Sequence, residues 1–394
     1  MKYLLESLNE EEISSLELIS KWGCDGSQQQ QFKQKFGNST DSDSSIFQSS
    51  FVPLRLICNV RVGDQSKIIW QNPVPSSARY CRPIRIRFVH ETKDITNEEI
   101  SYIEKQIKNL NKSVIPRTDG GTLTIKHTLA FTMVDAKNPD TLKFELSTLH
   151  ARIRFFESLL HLSYKIPIRK WQARTQEHKN IVADRKKKIQ EAFKEEMGLL
   201  VDIPKAGFGN TNDGNTSRRF FSNPEISSRI TGIDINLIKK CSVLLETLSS
   251  GLKIDTHKFE NFAEQTAKLY VELYGWHPMS PTMHKILRHG ATVIDLAILP
   301  IGQLSEEAAE ARNKHFRIYR QNFSRKFSRE DCNKDVLNRL LLTSDPFLSS
   351  NRQRQRKTRK PFSVEALELL VPETSYVSST DFEEDDGSSE LESE

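Results

Sequence analysis

Three acids occupy positions where side chains often do chemistry. Asp25 lies in GCDGS, between an apolar segment and a polar stretch; Asp135 ends TLAFTMVD; Glu310 lies in LSEEAAEARNKHFRIYR. Carboxylates on strand ends and on a facing helix can converge although they are far apart in sequence. Mg²⁺ (or Mn²⁺) is a hard ion that takes carboxylate oxygens. Two such ions about 4 Å apart can activate an attacking oxygen and stabilise the leaving one, so no protein nucleophile is needed. The chain holds 52 acids. A turn Asp, a strand-end Asp and a solvated helix Glu would look the same, so spacing alone does not separate the two readings.

Other candidates surround these acids. Glu306, Glu307 and Glu310 precede Arg312, Lys314, Arg317, Arg320, Arg325 and Lys326. Acids first and bases last suit a helix macrodipole. They also suit an acid at a metal with bases along a phosphate backbone. The loop GFGNTNDGNTSRRFF (207–221) offers Asn212, Asn215, Arg218 and Arg219 among glycines that let backbone approach phosphate. It lacks the GKS/T of a Walker motif, and a structural turn before a helix is the plainer reading. His284 and His289 form H-x₄-H, within zinc spacing. On a straight helix that step puts them on different faces, so a zinc reading needs a helix end between them. RQRQRKTRK (352–360) carries six bases in nine residues, a nuclear-localisation or backbone-binding pattern.

The elements that must position these residues follow from periodicity. Leu4, Leu5, Leu8, Ile13, Leu16 and Ile19 predict a helix over 1–20, and the Gln/Ser/Asp-rich 26–50 a flexible turn. FVPLRLICNV (51–60), KIIWQNPV (67–74), PIRIRFVH (83–90) and TLTIKHTLAFTMVD (122–135) predict strands. A helix over 95–111 is expected to open on a Thr96–Glu99 capping box. Beyond 140 the pattern turns helical, over 149–166, 183–201, 236–250, 258–274, 282–298 and 303–328. The low-complexity 350–394 predicts disorder. This plan is α/β, a mixed sheet whose last acid-bearing helix is separated from it by a helical insertion. It predicts core strands in 1–140, the insertion in 141–281, the catalytic-helix region in 282–349 and the tail in 350–394. An RNase H-like core with an insertion fits that order.

Charge divides the chain in two. The net +5 includes eight acids and no base in DFEEDDGSSELESE (381–394); without them the body carries +13. A body this basic suggests nucleic acid as partner. No apolar run is long enough to span a membrane. The five cysteines are odd in number and scattered, against a disulfide framework.

GCDGS with the following QFKQKF, then TMVD, STLHARIRFFESLLHLSYKI, GFGNTNDGNTSRRFF, HKILRHG, LPIGQLSEEAAEARNKHFRIYRQNFSRK and LLLTSDPFLSS resemble, in the same order, the catalytic core of Transib-type DNA transposases and the similar catalytic subunit of the V(D)J recombination-activating recombinase. The resemblance runs from about Trp22 to Ser350. It implies an RNase H-like DDE endonuclease that nicks and then transesterifies double-stranded DNA, in the nucleus, working as a homodimer, with Asp25, Asp135 and Glu310 holding Mg²⁺. Arg218, Arg219 and the bases after Glu310 would contact the DNA backbone. The family also pairs a C-x₂-C after the second Asp with two histidines matching His284 and His289. Here AKNPDTLKFELSTLHARI follows Asp135 without any cysteine, which leaves half a zinc site. The chain starts close to Asp25, so the family's N-terminal DNA-end-binding and dimerisation regions are expected to be absent. These departures support a second reading, a catalytically silent transposon-derived DNA-binding protein.

Overall fold

The computed structural model describes residues 16–28, 45–62, 65–117, 120–133, 147–204, 210–351 and 361–372. They form a mixed α/β structure in two compact units. Of the described residues, the first takes those within 16–133 and 303–351, the second those within 147–302 and 361–372.

The first unit is built on a six-stranded sheet. The strands are β1 (Leu16–Gln28), β2 (Ser45–Val62), β3 (Gln65–Gln71), β4 (Arg82–Arg87), β5 (Ser113–Pro116) and β6 (Thr122–Met133). Their order is β3-β2-β1-β6-β5, with β4 also pairing β2. β1 is antiparallel to β2 and parallel to β6. The helix expected over 1–20 is corrected at Leu16 to Ser20, which belong to β1, while 1–15 lie outside the described residues. Leu16 packs with Leu56, Cys58, Leu123 and Ile125. A strand between two others is buried on both faces, so its apolar residues need not alternate, and three-and-four spacing imitates a helix. The polar stretch 26–50 likewise gives its ends to β1 and β2.

Pro53 lies inside β2, where it donates no ladder hydrogen bond. The register slips by one residue at this point, from Ile19↔Arg55 to Ser20↔Pro53. Asn72 bonds both carbonyls beside the slip, its amide nitrogen donating to Pro53 O and its backbone N–H to Leu54 O, each at 2.8 Å. Helix α1 (Lys93–Lys108) starts earlier than its expected capping box, with the Thr92 hydroxyl accepting from Ile95 N. Glu99 is instead buried and takes Ser49 Oγ at 2.8 Å and Arg85 at 3.1 Å.

The second unit is helical. It contains α2 (Thr148–Lys165), α3 (Gln176–Met197), α4 (Gly214–Ser222), α5 (Pro224–Thr231), α6 (Ile235–Ser249), α7 (Thr256–Tyr274) and α8 (Pro281–Leu296). Its core gathers Phe155, Phe156, Leu159 and Leu160 of α2 with Phe193, Phe220, Leu244 and Phe259. Met283, Ile286 and Leu287 of α8 join it, so this helix packs with the insertion and the division falls after 302 rather than 281.

The chain returns to the first unit with α9 (Glu307–Asn322), α10 (Arg329–Thr343) and α11 (Pro346–Asn351), and to the second with α12 (Val364–Glu368). Phe316 and Tyr319 of α9 pack with Ile46, Val336 and Leu340. Disorder throughout 350–394 is corrected at 361–372. Ala366 and Leu369 are buried against Val243, and Ser363 bonds the Glu246 carboxylate through its N–H at 3.1 Å and its hydroxyl at 2.5 Å. The basic 352–360 and acidic 381–394 lie outside the described residues. All five cysteines are free and buried. Among the described residues no helix is long and apolar enough to cross a membrane.

Candidate active site

β1 presents Asp25 near its end, and the N-terminal half of α9 packs against it. From Ser20 to Gln28 the pairing of β1 with β2 is regular, so Lys21, Gly23, Asp25 and Ser27 share one face. On α9, Glu306, Glu310, Asn313 and Arg317 recur at steps of four and three, one stripe of a helix. The two series meet. Asn313 Nδ2 donates to Asp25 Oδ2 at 2.6 Å, and Arg317 reaches Ser27 Oγ at 3.5 Å.

Asp25 lies in a crowd of carboxylates. Burial first, then the charges of Glu91, Glu306 and Glu310, push its pKa up from 3.8 to about 7, and the Asn313 hydrogen bond opposes the rise. Glu310 is exposed, Glu306 is 7 % exposed and Glu91 is half-buried. Sequence reasoning missed Glu91 as a neighbour of Asp25. Its one signal is that it follows β4, as Asp135 follows β6. A Cβ on Gly26 would stand 2.6 Å from Glu91 Cβ and Oε2, so glycine there lets the Glu91 side chain lie over the strand. Asn313 was also missed, although the i, i+3 step from Glu310 places it on the same stripe.

The strand expected to carry Asp135 is described through Met133. Gly23 opposes Met133 in the register, and a Cβ on Gly23 would fall 1.8 Å from Met133 O. The parallel strands therefore approach closely two residues before Asp25. Asp135 itself lies outside the described residues. Among those residues no three His, Cys, Asp or Glu side chains form a metal-holding group. The acids around Asp25, Glu91, Glu306 and Glu310, are carboxylates, the oxygen chemistry that suits a hard divalent ion.

The other sequence candidates separate. Arg312, expected at DNA backbone, is instead fully buried, with its guanidinium on Ala78 O and, at 2.9 Å, on Thr343 Oγ1. Arg320 is 1 % exposed. Arg325 pairs with Asp335 at 2.8 Å and Asp331 at 3.3 Å. Lys314 and Arg317 remain exposed on α9.

The Asn/Gly loop serves the helical unit. Asn212 is 8 % exposed, accepts from Asp202 N at 2.7 Å and donates to Glu157 at 3.3 Å. Its role is to hold the loop, which corrects its expected place at DNA. Asp213 caps α4 by accepting from Thr216 N. Arg219 donates to Met197 O at the end of α3, while Arg218 pairs with Asn215. His284 and His289 lie on one uninterrupted helix, α8, exposed, with ring centroids 5.5 Å apart. The helix end that a zinc pair seemed to require is not there. A groove of about 850 Å³ in this unit is lined by Tyr270, His277, Met279, His284 and Arg288, and by none of the three acids.

No family model matches the chain, and no curated protein matches it.

Proposed function

We propose that this chain is an RNase H-like DDE core that cleaves and rejoins DNA phosphodiesters, akin to Transib-type transposases. One observation carries the reading: Asp25 of a central strand is held against the Glu306–Glu310–Asn313 stripe of a helix from the far end of the chain. The antiparallel β3-β2-β1 run with β6 parallel to β1 supports this reading, as does the helical unit that lies between β6 and α9 in sequence, although the edge strand β5 runs antiparallel to β6. An ionised buried carboxylate facing three others is unfavourable unless it takes a proton or a cation joins it. Asp25, Asp135 and Glu310 would hold Mg²⁺ or Mn²⁺. When bound, such ions lower the pKa of an attacking water and offset charge on the leaving oxygen.

The chain's own groups supply positioning. Asn313 fixes the orientation of Asp25 and leaves its other carboxylate oxygen for a ligand. Lys314 and Arg317, exposed beside the acids, would pair with phosphates of double-stranded DNA and fix the scissile bond. The first step would hydrolyse one strand, and the second would use the freed 3′-OH to attack a phosphodiester. A pair of chains in the nucleus is the expected working form. Incubation of the purified chain with supercoiled plasmid tests this. Nicked circles in Mg²⁺ and none in EDTA are expected; equal product in both would count against it.

A second reading, a catalytically silent DNA-binding protein, is favoured by the Asn313 amide already seated on Asp25. It predicts salt-sensitive DNA binding that is indifferent to Mg²⁺ and to loss of the three acids.

A further inference from the structure

We propose that Lys21 is a positioning residue that sets the register of α9 against β1, and so brings the Glu310–Asn313 turn to Asp25. This rests on the reading of Asp25 and Glu310 as one site.

Lys21 is fully buried. Its Nζ donates to Gln303 O at 2.9 Å and Ser305 O at 2.5 Å, the carbonyls that lead into α9. A lysine is almost never buried without a partner, and here the partners are backbone. Gln303 and Ser305 are each 1 % exposed, so the approach to the helix is enclosed as well. The Glu306 side chain makes no cap bond, and Glu307 N donates to Ser305 Oγ at 3.3 Å. The Lys21 amine thus ties β1 to two backbone carbonyls at this entry.

Lys21 and Asp25 lie on one face of β1, four residues or about 13 Å apart. Ser305 precedes α9, and within the helix Glu307 and Asn313 are six residues or about 9 Å apart. Asp25 to Ser27 is about 7 Å of strand, and Asn313 to Arg317 about 6 Å of helix. Three bonds in sequence, Lys21 to Ser305 O, Asn313 to Asp25 and Arg317 to Ser27, hold α9 and its approach alongside β1. Asn313 and Arg317 grip only side chains at the site itself. Lys21 grips the backbone ahead of the helix, so it fixes where the first turn begins. A slip of one residue along α9 would turn Glu310 by about 100° away from Asp25.

A residue that merely filled this space would be replaced well by methionine, which has similar length and carries no buried charge. The test is Lys21→Met in the full chain, with Lys21→Gln read in the same way should the first not fold. Hydrogen exchange of metal-free protein is followed in peptides covering 303–313, and Mn²⁺ alone is titrated by calorimetry. The clamp predicts native melting behaviour, exchange in 303–313 faster by about tenfold or more, unchanged exchange in β2 and β3, and Mn²⁺ affinity weaker by about tenfold. Unchanged exchange and unchanged Mn²⁺ affinity in the folded variant would overturn it. Faster exchange in a protein whose wild type takes up no Mn²⁺ would keep the clamp and sink the metal reading, so the two failures are distinguishable.

Discussion

At the scale of single residues, the site is costly to the fold, and that cost is measurable. Asp25 titrates at about 7 in the folded chain against 3.8 ordinarily. Between those values the folded state holds the proton more tightly than the unfolded state does. Stability from this group is full below about pH 4 and is lost as pH rises through about 7. Asp25→Asn removes the buried charge, so metal-free Asp25→Asn should exceed wild type by on the order of 2 kcal/mol at pH 8 and by far less at pH 4.5. Melting at the two pH values checks this, and an equal difference at both would contradict it. Arg312 behaves oppositely. Its buried guanidinium ties Ala78 to Thr343, so Arg312→Ala should cost about 3 kcal/mol in denaturant unfolding. DNA affinity lost without loss of stability would return it to the DNA-binding set.

At the scale of elements, close approach and capping decide what is tolerated. Gly23 admits no Cβ beside Met133 O. Gly23→Ala should therefore part β1 from β6 and unfold the sheet unit at lower temperature by circular dichroism, whereas an unchanged melt would show that the strands can shift. Apolar spacing or alternation made β3, β4, β6, α1, α2, α6, α7 and α8 legible, and a dense Val/Leu/Ile run made β2 so although both its faces are buried. β1 was misread because a central strand buries both faces. β5 has four residues, too few for a period. α10 was missed because its buried residues, Cys332, Val336 and Leu340, stand in a polar segment. α12 was hidden by its neighbours in a charged, low-complexity tail, although Ser363 at its start is a good cap. At the site, the acids Asp25 and Glu310 could be picked out by type and position. Glu91, Lys21 and Asn313 were not, because their importance comes from packing between segments far apart in sequence, more than 200 residues for Lys21 and Asn313.

At the scale of the whole chain, charge organises the expected behaviour. The body carries +13 and the last fourteen residues −8. A tethered acidic segment competes with phosphate for basic surface. Deleting residues 381–394 should tighten binding to random-sequence duplex severalfold at low salt, with the gap closing as salt rises; unchanged affinity at low salt would remove the competition. The central claim is that Asp25 and Glu310 act on DNA together through a divalent ion. Its most direct test is the rate of plasmid nicking in Mg²⁺ by wild type and by Glu310→Gln, each shown to be folded. The account predicts nicking by the wild type and a loss of at least about a hundredfold in the variant. Equal nicking by the two proteins, or none by the wild type, would contradict it.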